Sequence, residues 1–353
     1  MRRSRLVATL VAPALALVLS GCGGGTTDAA DPADPADPPT AAPADPGDSP
    51  SRSATPDASE EPAEPADDPS ADPSADPSAD PGRDPLADLV EGLDDVEGVA
   101  PDVPSGPGLD PRKGPVLGAD VSWPQCPKGL GIPQKRTLGA PMPVPEARYV
   151  VIGLTNGPGM YPNPCLADQV AWARDRDVLA GAYAVASYPE PADLERYGAD
   201  GPFDADNAAG RLRNAGYEQA RFNVRSMRAA GLDVPLVWID VEPVPDFEWS
   251  GDRAANAAVV EGIARGYTDA GYDIGIYSTP YLWEGVVGDL RLGVPEWRAA
   301  GHTSRAEALD RCGADWDVQG GPAVLGQWVQ DNRDMNVTCP GVTSLAPYVA
   351  LLG

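Results

Sequence analysis

Asp240 and Glu242 lie two residues apart at the end of the apolar run VPLVWIDVEP, residues 234–243. In a β-strand, residues i and i+2 project from the same face, so both carboxylates would enter one site. Two carboxyl groups held close beside aromatic rings, here Trp238 and Trp249, split their proton affinities: one stays protonated as an acid and the other ionises. That division of labour is what cleavage of a glycosidic bond requires. A D-x-E pair alone is weak, because in a chain with 53 Asp and Glu residues it could equally be a solvated rim.

The elements that must position the pair supply context. Apolar, β-rich runs recur at Val116–Ser122, Tyr149–Asn156, Val178–Tyr188, Val234–Val241, Ile274–Thr279, Trp297–Ala300, Val324–Val329 and Met335–Thr338. Helical segments follow the second (Leu166–Asp175), the third (Asn207–Ala230) and the fourth (Ala254–Ala270). Continuous apolar strands alternating with helices predict a parallel sheet, closed as an irregular (β/α)8 TIM-type barrel with several helices lost or short. An open doubly wound sheet is the alternative; it would want a Gly-rich phosphate loop after the first strand, and none is present. In such a barrel the chemistry sits at the C-terminal strand ends. Those ends carry Asp120, Thr155 and Asn156, Ser187 and Tyr188, Asp240 and Glu242, and Tyr277 and Ser278, with Trp328, Gln330 and Asp334 late in the chain. Carboxylates and flat rings around one mouth suit a carbohydrate cleft. Trp172, Trp283, Trp297 and Trp316 read as packing residues and His302 as a surface or helix-cap residue, since nothing nearby forms a triad.

Charge divides the 353 residues into three segments. Residues 1–22 carry three Arg and no acid; residues 23–114 carry 23 acids, four bases and no aromatic residue; residues 115–353 carry 30 acids, 19 bases and all 22 aromatic residues. A large core is therefore expected only in 115–353. The net charge of −27 excludes a nucleic-acid binder, which would need a basic surface, and the composition excludes a polytopic membrane protein. Arg2, Arg3 and Arg5 before the apolar run Leu6–Leu19 read as a secretory signal, and its end, Leu19-Ser20-Gly21-Cys22, resembles a bacterial lipobox. Cys22 would then carry a lipid and hold the protein on the outer face of the cell membrane. Residues 23–114, rich in Ala, Asp, Pro and Ser and reading SADP three times over at 70–81, cannot bury enough apolar surface to fold. They are expected to form a spacer reaching between about 50 and about 280 Å.

Exported chains keep disulfides. Cys126, Cys165, Cys312 and Cys339 allow three pairings that sequence alone does not separate; the favoured one joins Cys126 to Cys165 and Cys312 to Cys339, each closing a loop between neighbouring elements. A zinc site is disfavoured by the absence of CxxC and the single His. No phosphate loop or nucleophile elbow appears, and no cofactor or metal is implied.

Four motifs in order, GADVSWPQC (118–126), WIDVE (238–242), IYSTPYLW (276–283) and QWVQDNRDMN (327–336), resemble those of the glycoside hydrolase family 25 lysozymes, which cut bacterial peptidoglycan. The resemblance spans nearly all of 116–340. It implies Glu242 as the general acid, Asp240 as the group that orients or charge-stabilises the reacting sugar, and Asp120 and Asp334 as completing the acidic cluster. Trp123, Gln125, Tyr188, Tyr277 and Trp328 are the candidate sugar contacts. The chain departs from the family at Gly153-Leu154-Thr155-Asn156-Gly157 and Tyr183-Ala184-Val185, and its Cys126–Glu146 link is long and Pro-rich; these changes bear on substrate identity more than on reaction class. The expectation is a monomeric, lipid-anchored muramidase-like enzyme with cell-wall glycan as its partner. The alternatives are a barrel that binds wall glycan without turnover and a purely structural lipoprotein.

Overall fold

The computed structural model describes residues 109–353. The expectations for the signal and lipidation Cys at 1–22, and for nearly all of the spacer at 23–114, lie outside the described residues. Eight strands close into one barrel in chain order: β1 (Leu117–Val121), β2 (Tyr149–Gly153), β3 (Leu179–Val185), β4 (Leu236–Asp240), β5 (Asp273–Ser278), β6 (Glu296–Ala299), β7 (Ala323–Gln330) and β8 (Arg333–Thr338). Every expected run overlaps one of them, and β5 to β8 each start one or two residues earlier than expected.

The expected (β/α)8 TIM-type barrel is not what the chain builds. Strands β1 to β7 run parallel, but β8 is antiparallel to both of its neighbours, β7 and β1. Two residues, Asp331 and Asn332, connect β7 to β8, both left-handed with φ of 53° and 56°. A link that short can make only a hairpin, since a parallel crossover needs about a dozen residues or more. Helices are also few: only 3-10 turns lie between β1 and β2, at Trp123–Gln125 and Pro133–Lys135. The α-helices are α1 (Leu166–Arg174), α2 (Pro191–Tyr197), α3 (Ala208–Ala230), α4 (Arg253–Asp269), α5 (Pro280–Val287) and α6 (Arg305–Asp310). Three of them, α1, α3 and α4, were legible from sequence. The architecture is a closed eight-stranded barrel with incomplete helical cover and one reversed strand.

Strands such as β2, buried at every position, are apolar throughout because both faces are covered. Outside, Val150, Ile152, Ile239 and Ile276 pack with Leu212, Val224 and Met227 of α3 and Val259, Val260 and Ile263 of α4 in one core. α3 and α4 cross closely at Gly216, where a Cβ would stand 2.1 Å from the Val259 carbonyl oxygen. Inside, the barrel is filled by rings: Trp297 meets Tyr183, Trp238 and Tyr277 edge-on at 5.7, 5.9 and 4.6 Å between centroids. Such bulk needs small neighbours, and Gly118 of β1 provides one, a Cβ there falling 2.3 Å from the Tyr149 ring. The C-terminal segment closes the lower end of the barrel. Leu345 and Val349 join the inner core, Tyr348 stacks on Trp238 at 6.1 Å, and Ala350 exchanges 2.8 Å backbone hydrogen bonds with Ala180.

Both favoured cysteine pairs are disulfides in the structure. Cys126–Cys165 ties the turn after β1 to the start of α1, and Cys312–Cys339 ties the segment after α6 to the end of β8. No helix among the described residues is long and apolar enough to cross a membrane.

Candidate active site

Alternation along β4 decides which side chains enter the barrel. Trp238 packs inside with Trp297 and Ile239 faces the outer core, so Asp240 and, one alternation on, Glu242 point into the mouth. Backbone bonds continue past the strand end and hold this geometry: Val241 N–H donates to Tyr277 O at 3.0 Å, and Ala186 N–H to Asp240 O at 2.8 Å. Ser278 Oγ donates to Val241 O at 2.7 Å, and Trp249 Nε1 to Glu242 O at 3.0 Å.

Reversal of β8 brings the remaining two acids together. Running backwards, it places its first residues at the upper rim, where Asp334 stands directly opposite Asp120 of β1. Opposed residues of an antiparallel pair share a face, and like charges there are destabilising. A site that retains them has put local stability to another use.

The environment acts on all four carboxyls in one direction. Asp120 is buried, and desolvation, with Asp334 and Glu242 nearby, lifts its pKa well above the usual carboxylate range against the pull of hydrogen bonds from Gln327 and Asn336. Asp240 is also buried and is raised well above its ordinary value by desolvation and then by Glu242 and Asp120; its Oδ1 is fully enclosed with no hydrogen-bond partner. Glu242, partly buried, is pushed up to about 7 by desolvation and by Asp334. Asp334 is raised by burial, while the charge of His302 pulls it back down. Among the described residues no group of three or more His, Cys, Asp and Glu converges as metal ligands would, so the acids ring the mouth rather than meet at a point.

The other expected contacts separate into several roles. Trp123 is partly exposed at the start of the turn that leaves β1. Gln125 is spent locally, its Oε1 accepting from Ser122 N–H at 2.8 Å. Tyr188 lines a small hollow beside the mouth with Tyr161 and Phe247. Tyr277 is buried and donates its hydroxyl to Gln327 Oε1 at 2.9 Å. Trp328 is not in the mouth: it is buried on the outer face of β7 against Ala308 of α6, with Met335 and Val337. Asn156 belongs to the scaffold, bracing the Pro-rich β1–β2 loop through Ile132 N–H at 2.6 Å and Lys135 O at 2.8 Å.

Gln327 and Asn336 were missed, although both lie in the quoted motif QWVQDNRDMN. Phase was the available signal: Asp334 inward places Asn336 inward, and its partner across the β7–β8 pair is Gln327. His302, expected on the surface, is exposed but close enough to the mouth for its charge to bear on Asp334.

Fold and site together define a class: an eight-stranded barrel whose upper mouth gathers carboxyls raised above their ordinary proton affinities by burial and by one another. Comparison with known proteins narrows it. Residues 208–302, which contain Asp240, Glu242 and Tyr277, match the family model described as Lysozyme-like protein 1. A 70-residue stretch is 31% identical to Lysozyme-like protein 5 of Caenorhabditis elegans, covering 20% of this chain and 31% of that protein. Another of 66 residues is 36% identical to a probable GH family 25 lysozyme 4 of Dictyostelium discoideum, covering 18% and 30%. The chain thus spans about three tenths of the length of these curated relatives. Among solved structures, a family GH25 lysozyme from Aspergillus fumigatus aligns with 17% identity and a TM-score of 0.41 over 66% of this chain and 97% of that one. The likeness to lysozyme-like proteins and glycoside hydrolase family 25 expected from the motifs is the one these comparisons return.

Proposed function

We propose that the protein is a glycosidase that cleaves the glycan strands of peptidoglycan, with Glu242 as general acid. The observation that carries this reading is the inward pair Asp240 and Glu242 at the end of β4, facing a rim that already holds Asp120 opposite Asp334. A carboxyl near pKa 7 is protonated in a useful fraction at neutral pH and weak enough as an acid to hold its proton until the glycosidic oxygen takes it. As that proton moves, the bond from the anomeric carbon to the oxygen breaks, its electron pair staying on the oxygen so that the leaving sugar departs neutral; water finally takes the vacated place on the anomeric carbon and returns a proton to Glu242. Positive charge developing on the ring is met by the other carboxyls, of which Asp240 lies nearest along the chain. The lysozyme names of the matching family model and curated relatives support the choice of wall glycan as substrate.

The same proposal places the protein outside the cell, held to the membrane by lipid on Cys22 and set off from it by residues 23–114. Purified protein incubated with cell-wall sacculi should release new reducing ends, and identifying the exposed sugar distinguishes a muramidase from a glucosaminidase. Retention on sacculi without released ends would instead identify a glycan-binding protein and refute the enzymatic reading.

A further inference from the structure

Asp120 is gripped from one side only. Asn336 Nδ2 donates to its Oδ1 at 2.9 Å and Gln327 Nε2 donates to the same oxygen at 3.2 Å. An amide can turn over and present its carbonyl instead, but Asn336 is not free to do so, and Gln327 is held in the donating orientation by a phenol. Trp297 Nε1 donates to Asn336 Oδ1 at 2.8 Å, and Tyr277 Oη donates to Gln327 Oε1 at 2.9 Å. Indole N–H is a donor only, so the Asn336 orientation is fixed, and the phenol completes the Gln327 side. Asn336 and Trp297 are both buried, so a flipped Asn336 amide would leave two enclosed donors facing one another. Oδ2 is treated differently: among the described residues no donor meets it, and it is not one of the fully enclosed polar atoms, unlike Asp240 Oδ1.

We propose that Gln327 and Asn336, locked by Tyr277 and Trp297, are positioning residues that close Oδ1 of Asp120 as an acceptor and confine its proton, whenever it holds one, to Oδ2 on the cleft side. The amide clamp gives a buried aspartic acid a defined direction. An oxygen already receiving two N–H groups has no room for a proton of its own, so the protonated form offers one O–H, from Oδ2, toward whatever occupies the mouth. The ionised form offers one open oxygen at the same point. The groups facing Asp120 work toward protonation: Asp334 from β8, Glu242 beyond β4 and Asp240 from β4. Tyr149, Tyr183 and Tyr277 complete the surround from β2, β3 and β5 and are themselves raised well above the usual tyrosine range by burial. His302 acts on the neighbour Asp334, and Arg305 bears on Tyr149. Against the acids stand the two amide N–H groups, whose hydrogen bonds favour the ionised form. Neither amide carries a charge or titrates, so their contribution is one of direction and of a limit on how far the proton affinity rises.

The geometry of the clamp stands without the glycosidase reading; only its effect on turnover rests on that reading. The test therefore uses two readouts on the whole protein. Asn336→Leu and Gln327→Met each remove one donor from Oδ1 at nearly constant volume and add no titratable group. Tyr277→Phe keeps the ring and frees the Gln327 amide to turn, which provides a milder variant should either of the others fold poorly. With ¹³C-labelled carboxyls, and the Asp120 resonance assigned by its absence in Asp120→Asn, the Asp120 midpoint is expected to rise by about one to two pH units in Asn336→Leu and Gln327→Met. Tyr277→Phe should shift it less, in the same direction. On sacculi, kcat at neutral pH should fall at least about tenfold with KM within about twofold. An unchanged or lowered Asp120 midpoint in the variants overturns the clamp. So does a rise in KM with kcat unchanged, which would mean that the amides bind substrate directly. If wild-type protein releases no sugar, the carboxyl titration alone decides the clamp, and the glycosidase reading fails separately.

Discussion

Replacing Glu242 by Gln should make the protein more stable while abolishing its turnover, and the gain should depend on pH. Desolvation and Asp334 raise the Glu242 carboxyl from an ordinary 4.5 to about 7. In the unfolded chain the same group gives up its proton near 4.5, so above that pH the folded state must either hold a proton that the unfolded state has lost or place a charge where it is unfavourable. The folding penalty is absent below about pH 4.5, grows as the pH rises toward 7, and is constant above. At about 1.4 kcal/mol per pH unit, the interval from 4.5 to about 7 amounts to about 3 kcal/mol. Gln keeps the size of Glu and cannot ionise. The shift of Glu242 arises from burial and Asp334 alone, so the substitution breaks no hydrogen bond that holds the charge. Thermal unfolding of both proteins at pH 4.5, 6, 7 and 8.5 should show coincident midpoints at the lowest pH. The Gln variant should then lead by about 6 to 12 °C at the two highest, at about 2 to 4 °C per kcal/mol for a domain of this size. Release of reducing ends should fall by about 10² to 10⁴, and in the unsubstituted protein activity should decline as the pH rises through about 7. Equal stability at all four pH values, or a gap widest at pH 4.5, would refute the argument that this carboxyl is destabilised by its neighbours.

Four further substitutions have expected outcomes. Glu296→Ala should cost about 3 to 5 kcal/mol in urea unfolding: Glu296 is wholly buried, pairs with the buried Arg298 at 2.7 Å, and accepts from Val318, Gln319 and Gly321 N–H, so its loss leaves a buried charge and three donors unpaired. Gly216→Ala pushes a methyl against the Val259 carbonyl at the α3–α4 crossing and should lower stability by about 1 to 3 kcal/mol without altering KM on sacculi. Trp328→Ala should cost about 3 to 5 kcal/mol with KM unchanged, because its ring packs under α6, whereas Tyr188→Ala, beside the mouth, should raise KM with little loss of stability.

Strand positions were legible because strands buried on both faces must be apolar throughout, as in YVVIG at 149–153. Helices α3 and α4 were legible because they are long, with α3 running from an Asn207 cap to a left-handed Gly231. The barrel class failed in the sparse helical cover and, most plainly, at the link between β7 and β8. The sequence showed five residues, 330–334, between the two apolar runs, already short for a parallel crossover, yet neither Asp331 nor Asn332 is Gly, the residue that usually marks a left-handed hairpin turn; the eighth strand was therefore counted as one more parallel strand. The same oversight misjudged the phase of that pair. Trp328 stood next to the expected acids in sequence and was placed with them, while its neighbour Gln327 is the residue that faces inward. Asp240 and Glu242 could be found because they sit on one strand. The Asp120–Asp334 pairing depended on strand direction, which no local pattern along β8 discloses.

The reversed strand also fixes when the site comes into being. Asp120 and Asn336 are 216 residues apart in the chain, and the β1–β8 seam joins the first strand to the last. During synthesis β1 emerges long before its partner, and the β1–β8 seam cannot form until residues 333–338 have been made. A chain ending before residue 333 carries Asp240 and Glu242 but lacks the carboxyl opposite Asp120 and one of the amides that orient it.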